Sequence, residues 1–210
     1  MRRDTRTAIM DTARRLFTER GYNAVSIQDI ADELGISKGN LTYHFRRKEQ
    51  IVEALLRQNT GGGLRLAVPG SIGALDTLFR HQYNVVRDNA YYFFHYDQMA
   101  QLSPEISEGQ RAAKEMLRTV LQSCFSVLVE AGLMQTEDAA GRKLADERER
   151  LIDALIMTAL CWLPYRRLLQ GEEDDEGESM RAQCWSLLVP WLSVRGRAEL
   201  KRLVNSPAGT

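Results

Sequence analysis

The segment from Gly35 to Gln50, GISKGNLTYHFRRKEQ, is rich in side chains that could do chemistry. It contains two amides, hydroxyls, a phenol and an imidazole, and three basic residues follow one another at Arg46, Arg47 and Lys48. Such groups exchange hydrogen bonds with polar edges, and the cations attract phosphate oxygens. Free backbone N–H groups where a helix begins at Lys48 would favour the same anions. The segment therefore suits contact with a negatively charged surface.

A helix from Lys38 to Phe45 would bury only Leu41 and Phe45, which lie one turn apart. Its outer face would then carry six residues, none of them acidic: Lys38, Gly39, Asn40, Thr42, Tyr43 and His44. Gly39 removes a side chain where another surface could approach closely. The alternative interpretation is a polar helix of an ordinary bundle, whose basic residues are simply solvated.

The preceding residues predict two further helices that hold this one. The first carries one apolar stripe, at Ile9, Ala13, Leu16 and Phe17. Gly21 ends that helix, and the second begins at Ser26, with Asp29 three residues on as in a capping box. It ends at Gly35, after which Ser37 is the next N-cap candidate. Two short helices joined by a glycine-containing turn are typical of a helix-turn-helix, whose second helix enters the major groove of DNA.

Charge is distributed unevenly along a chain whose formal net charge is zero. Residues 1–58 carry eleven Lys and Arg against eight Asp and Glu, so the remainder is acidic by the same margin. The start of the chain has no apolar run typical of a signal peptide, and no apolar stretch of about 18 residues suggests a membrane span. Cys124, Cys161 and Cys184 are far apart and odd in number, so we expect buried free thiols in a cytoplasmic protein.

Helical patterns continue along the rest of the chain, so an all-α fold is expected. A glycine-rich stretch predicts a linker at 59–72, between a DNA-binding domain at 1–58 and a larger helical regulatory and dimerisation domain at 73–210. In the larger domain we expect helices at about 72–89, from Ser103-Pro104-Glu105 to 131 with a break near Gly109, at about 145–169 and at about 179–194. The acidic loop Glu172–Glu178 would separate the last two.

Thr7 to Leu56 resembles the DNA-binding domain of the TetR family of bacterial transcriptional regulators. The matching motifs are A-x-x-L-F-x-x-x-G-Y from Ala13, S-I-x-D-I-A from Ser26, G-I-S-K-G from Gly35, and Y-H-F followed by Lys48 and Glu49. One position departs from the family, because Thr42 stands where members commonly carry tyrosine or another large residue.

The resemblance implies a set of DNA-binding residues. Base edges or neighbouring sugars would be touched by Gln28, Lys38, Gly39, Asn40 and Thr42. Phosphates would be held by Ser26, Tyr43, His44 and Lys48, and Ser37 at the start of the recognition helix completes the set. Amides pair bidentately with adenine, and lysine pairs with guanine.

The larger domain has the run Tyr91-Tyr92-Phe93-Phe94 before Ser103-Pro104-Glu105, a helix ending E-A-G-L-M, and the final motif W-x-x-x-V-P-W-L from Trp185. This layout resembles the regulatory domain of one TetR subgroup, which is helical, binds a small ligand and dimerises through its last two helices. Aromatic and Met residues are the candidates for an apolar ligand pocket: Tyr92, Phe93, Tyr96, Met99, Met116, Phe125, Trp162 and Tyr165. Wide apolar faces on the last two helices are the candidates for a dimer interface: Leu151, Leu155, Ala159, Trp185, Leu188 and Leu192. Each of the pocket candidates could instead be an ordinary core residue.

Together these patterns predict a homodimeric repressor, released from double-stranded operator DNA by a small, largely apolar effector. Two other functions remain open. A helical enzyme is disfavoured, since the sequence has no nucleophile elbow, phosphate loop, HExxH motif or His/Cys/Asp cluster, and we expect no cofactor, metal or catalytic residue. A dimeric interaction protein whose helix-turn-helix no longer reads DNA is the other.

Overall fold

The structure is a computed structural model, and it describes residues 4–61, 67–168 and 177–205. Those residues are mostly α-helical, with one 3-10 helix at Val189–Trp191, no strand and only two isolated β-bridges. In chain order the helices are α1 (Thr5–Arg20), α2 (Ile27–Leu34), α3 (Lys38–His44), α4 (Lys48–Gly61), α5 (Ile72–Asp88), α6 (Ala90–Phe93), α7 (Tyr96–Ala100), α8 (Pro104–Glu130), α9 (Leu144–Leu168), α10 (Glu178–Leu188) and α11 (Val194–Asn205). The all-α fold predicted from the sequence is confirmed.

The chain divides into two compact units, and the division differs from the predicted one. Unit 1 comprises 1–64 and 88–113, and unit 2 comprises 65–87 and 114–210. The sequence reading placed 88–113 in the larger domain, because the glycine-rich stretch is the obvious joint. Part of the expected linker at 59–72 and most of the acidic loop lie outside the described residues.

The core of unit 1 forms where α1 to α4 pack their apolar faces together. The predicted stripe of α1 is fully buried, at Ile9, Ala13, Leu16 and Phe17. Tyr91 of α6 joins this core, with its ring centroid 5.3 Å from that of Phe17. Tyr92, Met99 and Ile106 are buried in the same cluster. The aromatic segment therefore completes the hydrophobic core of unit 1.

Unit 2 is built from α5, the later part of α8, and α9 to α11. Helix α8 runs without a break past Gly109, contrary to the interruption expected there. Helix α11, which we did not predict, packs closely on the turn after α8. A Cβ atom at Gly196 would lie 2.1 Å from the carbonyl oxygen of Leu133, so only glycine fits this approach. Ser193 adds hydrogen bonds to that turn, from its N–H to Leu133 and from its hydroxyl to Gly132.

A buried carboxylate connects α5 with α10 inside unit 2. One oxygen of Asp76 accepts from Nε1 of Trp185 at 2.8 Å and pairs with Nε of Arg181 at 3.2 Å. The other oxygen accepts from Nε of Arg80 at 3.2 Å. Arg181 also pairs with Glu178 at 2.7 Å, so the buried charges of Asp76 and Arg181 are compensated within a network that includes Arg80 and Glu178.

The residues predicted as the dimer interface lie in the chain's own core, so that assignment is corrected. All six are buried within unit 2: Leu151, Leu155, Ala159, Trp185, Leu188 and Leu192. The error arose because α9 and α10 are apolar on several sides, so the sequence does not show which side faces inward. The prediction that all three cysteines are buried is confirmed for two of them and wrong for the third. Cys124 and Cys184 are buried, and burial raises the pKa of each thiol to about 12, whereas Cys161 is exposed.

Candidate nucleic-acid interface

The turn between α2 and α3 is defined by local capping contacts. Ser26 and Asp29 form the predicted capping box, in which the Asp29 carboxylate accepts from the Ser26 N–H at 2.7 Å. These hydrogen bonds from Ser26 hold the pKa of the Asp29 carboxyl below its usual value. Gly35 ends α2 in the left-handed conformation, at φ 64°, and the Ser37 hydroxyl accepts from the N–H of Asn40 to start α3. A helix-turn-helix results.

Helix α3 turns a single apolar residue into the core, with its C-cap beside it. Leu41 and the capping residue Phe45 are buried, as predicted. The side chains of Lys38 and Asn40 are exposed, and Tyr43 is 86% exposed. An exposed tyrosine ring among polar and basic neighbours has no role in packing the chain, so this face is available to another molecule.

Two side chains of the candidate face are oriented by contacts within their own helix. The amide of Gln28 donates to Oδ1 of Asp32 at 2.6 Å, one turn along α2. The hydroxyl of Thr42 donates to the carbonyl of Gly39 at 3.1 Å. Gln28 keeps a second N–H and its oxygen for another partner, whereas the proton of Thr42 is already used.

Three predicted phosphate ligands are placed differently from one another. Tyr43 faces outward, and His44 beside it is half-buried, with ring centroids 5.3 Å apart. The hydroxyl of Ser26 donates to Asp29 at 2.6 Å, so its proton is engaged in the cap.

Lys48, which was predicted to be a phosphate ligand, points into unit 1 rather than outward. Its Nζ atom donates to the carbonyl of Tyr22 at 2.6 Å and to that of Val25 at 2.8 Å. It also lies 4.0 Å from the centroid of the Tyr22 ring, a cation–π contact. Burial lowers the pKa of the Lys48 amine. The sequence shows three basic residues in a row, but only the fold reveals that Lys48 points inward while Arg46 and Arg47 are exposed.

Arg6 contacts the C-terminal end of α3, and it was not among the site residues predicted from the sequence. Its guanidinium donates to the carbonyl of His44 at 3.3 Å and lies 4.3 Å from the centroid of the Phe45 ring. A cation at a helix C-terminus is favoured by the carbonyls that end the helix. No sequence signal identifies Arg6, because its partners are some forty positions away along the chain.

The predicted ligand-pocket residues fall into both units rather than one. Tyr92, Phe93, Tyr96 and Met99 belong to unit 1, where the first three rings contact one another at centroid distances between 5.3 and 5.8 Å. Met116, Phe125, Trp162 and Tyr165 belong to unit 2. Phe125 lines a groove of about 400 Å³ together with the apolar Val129 and Leu144 and the charged Glu130, Lys143 and Arg148.

Two family models match this chain. The one described as "Bacterial regulatory proteins, tetR family" matches residues 9–55. The one described as "Bacterial transcriptional repressor" matches residues 49–200, well over half of the chain.

Individual relatives agree with this assignment. The HTH-type transcriptional repressor KstR2 of Rhodococcus jostii is 48% identical over 52 residues, 25% of this chain and 26% of that protein. The match thus spans about a quarter of the length of that curated relative. A TetR-family regulator from Marinobacter aquaeolei superposes with a TM-score of 0.78 at 20% identity, covering 95% of this chain and 97% of that one. A transcriptional regulator from Saccharomonospora viridis, solved in complex with choline, superposes at 0.67 with 25% identity, covering 90% and 98%.

The helix-turn-helix with its exposed α3 face agrees with these matches, and the chain belongs to the tetR family of bacterial regulatory proteins.

Proposed function

We propose that this protein is a DNA-binding transcriptional repressor, and that the outer face of α3 reads its operator. The observation that carries the proposal is the face itself: Lys38, Asn40 and Tyr43 are exposed, and the helix is anchored by Leu41 and Phe45. Amide, phenol and ammonium groups on one helix supply both base-edge and phosphate contacts. The family consists of transcriptional regulators rather than enzymes.

The test is selection of duplexes from a random-sequence pool, followed by gel shifts with the selected duplex. Asn40→Ala with Tyr43→Ala is expected to weaken binding at least about tenfold, because one bidentate base contact alone contributes about 1–3 kcal/mol. Both residues are exposed, so the fold is expected to be retained. Gln101→Ala, also exposed in unit 1, is the control and is expected to bind as the wild type does. Equal binding by the double variant and the control contradicts the proposed interface.

A small-molecule effector is the second part of the proposal. An effector releases DNA only if it binds one conformation of the repressor better than the other. The regulator from Saccharomonospora viridis was solved with choline, so a structural neighbour holds a small organic molecule. We place the effector of this chain in unit 2, where Phe125 lines a groove with both apolar and charged walls. A compound that raises the melting temperature and weakens the gel shift would identify it.

The third part is a homodimer formed through the exposed side of α9. Met157 is 64% exposed, Tyr165 52% and Leu168 80%, and the exposed Cys161 lies between them. Their spacing of three or four residues puts them on one helix face. Two copies that bury this stripe would present two recognition helices, which repressors use to read half-sites about 34 Å apart.

Sedimentation velocity tests the dimer with a matched pair of substitutions. Met157→Glu is expected to give a monomer, because a carboxylate buried among apolar side chains loses its hydration without gaining a partner. Val194→Glu places the same charge at an exposed apolar position on α11, and it is expected to leave the dimer intact. A dimeric Met157→Glu variant would locate the interface elsewhere.

No helix among the described residues has the length and apolarity needed to cross a membrane. We place the repressor in the cytoplasm, because its proposed ligand is chromosomal DNA.

A further inference from the structure

We propose that Lys48 is a positioning residue, which ties the first turn of α4 to the turn between α1 and α2, and that Arg46 and Arg47 supply the phosphate contacts of this edge. The proposal rests on the DNA-binding function above. It concerns how the basic run after α3 is divided between the protein interior and DNA.

The ammonium group of Lys48 is committed on three sides. Two of its three N–H donors are used by the carbonyls of Tyr22 and Val25, at 2.6 and 2.8 Å. The Tyr22 ring covers it at 4.0 Å, and the Tyr22 hydroxyl donates to Oε1 of Glu49 at 3.2 Å. Moving the amine to a phosphate would break both hydrogen bonds: the Tyr22 carbonyl would keep the N–H of Val25 at 3.4 Å, and the Val25 carbonyl would lose its ammonium donor.

The contact joins the start of α4 to the helix-turn-helix, the part of the chain proposed to bind DNA. Val25 immediately precedes Ser26, the N-cap of α2, and Lys48 is the first residue of α4. The link between them therefore couples the start of α4 to the start of α2. A displacement of the first turn of α4 carries the helix-turn-helix with it while the link is intact.

The two neighbouring arginines face solvent, whereas Lys48 is directed toward protein carbonyls. The side chains of Arg46 and Arg47 are exposed, and within the described residues neither has a hydrogen bond or an ion pair. The backbone N–H of Arg46 is already taken by Oε1 of Gln50 at 2.8 Å. The arginine side chains are thus the free cations of this edge.

The salt dependence of DNA affinity separates the two roles. Each phosphate contact contributes about 0.9 to the slope of log affinity against log salt. Arg47→Met is expected to reduce that slope by about 1. Lys48→Met removes the same charge one residue away, and it is expected to leave the slope unchanged while lowering affinity about tenfold or more at every salt concentration. Such a uniform loss is what a smaller binding-competent fraction produces.

The experiment uses the full chain and a duplex that the wild type selects. Lys48→Arg is expected to recover most of the affinity, because a guanidinium also donates to two carbonyls and stacks on a ring. A Lys48→Met slope that falls as the Arg47→Met slope does overturns the proposal, and so does unchanged affinity of Lys48→Met. If the wild type selects no duplex, the proposed function fails, and the labelling below still tests the placement of Lys48.

Lysine acetylation of the wild-type protein provides a second measurement, which holds even if Lys48→Met does not fold. Lys48 is expected to react slowly with or without DNA, because its amine donates to two carbonyls and is covered by the Tyr22 ring. Exposed Lys38 is expected to react quickly in the free protein and slowly with the duplex bound. Labelling of Lys48 as fast as that of Lys38 in the free protein would overturn the proposal.

Discussion

Replacing Gly39 by alanine is expected to change stability and DNA affinity in opposite directions. Gly39 lies in α3 with an ordinary helical backbone, and a Cβ built there meets nothing closer than the Ser37 hydroxyl oxygen at 3.9 Å. No strain opposes the substitution, so the helix gains the usual advantage of alanine over glycine, about 0.5–1 kcal/mol. The added methyl group points away from the core, on the face proposed to approach DNA.

The cost to DNA binding follows from that placement. A methyl group forced into a filled contact costs about 1–3 kcal/mol, which corresponds to a loss of roughly 5-fold to 150-fold in affinity. Hydrogen exchange of peptides from unit 1 measures the gain in stability, and gel-shift titration with a selected duplex measures the loss in affinity. The two measurements are independent, so each part of the expectation is tested by itself.

Gly109→Ala is the matched control, because this glycine lies in α8, in unit 1, with nothing within 4 Å of its Cβ position. It is expected to stabilise its helix by a similar amount and to leave DNA affinity unchanged. Wild-type affinity of Gly39→Ala would refute the close approach at Gly39. Loss of stability in Gly39→Ala would refute the space seen around it.

Three further substitutions test the packing. Asp76→Ala is expected to cost about 3 kcal/mol, because it removes the buried acceptor shared by Arg181 and Trp185 and leaves Arg181 paired with the half-exposed Glu178. Asp153→Ala, at an exposed ion pair, is expected to cost under about 1 kcal/mol. Urea unfolding followed by tryptophan emission measures both costs, because all three tryptophans belong to unit 2, and equal costs would contradict the expectation. Gly196→Ala is expected to destabilise unit 2 by about 1–3 kcal/mol, because its Cβ would overlap a backbone carbonyl. In the same assay Gly73→Ala, whose Cβ would have its nearest neighbour at 3.9 Å, is expected to be neutral or stabilising. Asp29→Asn is expected to lower the stability of unit 1 by its full amount at neutral pH and by less below about pH 4. The reason is that a carboxyl whose pKa is lowered in the folded state stabilises the fold only while it is ionised. A difference in hydrogen exchange that does not change with pH would contradict this.

The parts of the fold that the sequence predicted are those governed by local rules. The buried stripe of α1, the Ser26–Asp29 capping box, the left-handed Gly35 and the cap at Ser37 each involve residues within about one helical turn. The prediction that α3 buries little beyond Leu41 and Phe45 succeeded for the same reason. Short helices with sparse apolar residues leave few choices of inward face.

Predictions that needed long-range packing were wrong or absent. Helix α9 is apolar on several sides, so the sequence could not distinguish buried Leu155 from exposed Met157. Helix α11 was missed because its apolar residues are few and Gly196, near its start, resembles a helix breaker. The inward direction of Lys48 depends on carbonyls more than twenty positions earlier in the chain.

Tyr91 and its aromatic neighbours have a consequence for anyone who exchanges DNA-reading heads between regulators of this kind. Cutting the chain after α4 would keep every residue of the helix-turn-helix but remove the ring that packs on Phe17. The truncated DNA-binding domain would expose to water the apolar surface that Tyr91 covers, and it would tend to aggregate. A functional chimera should therefore carry residues 88–113 from the same parent as the head, even though they come from a separate stretch of the gene.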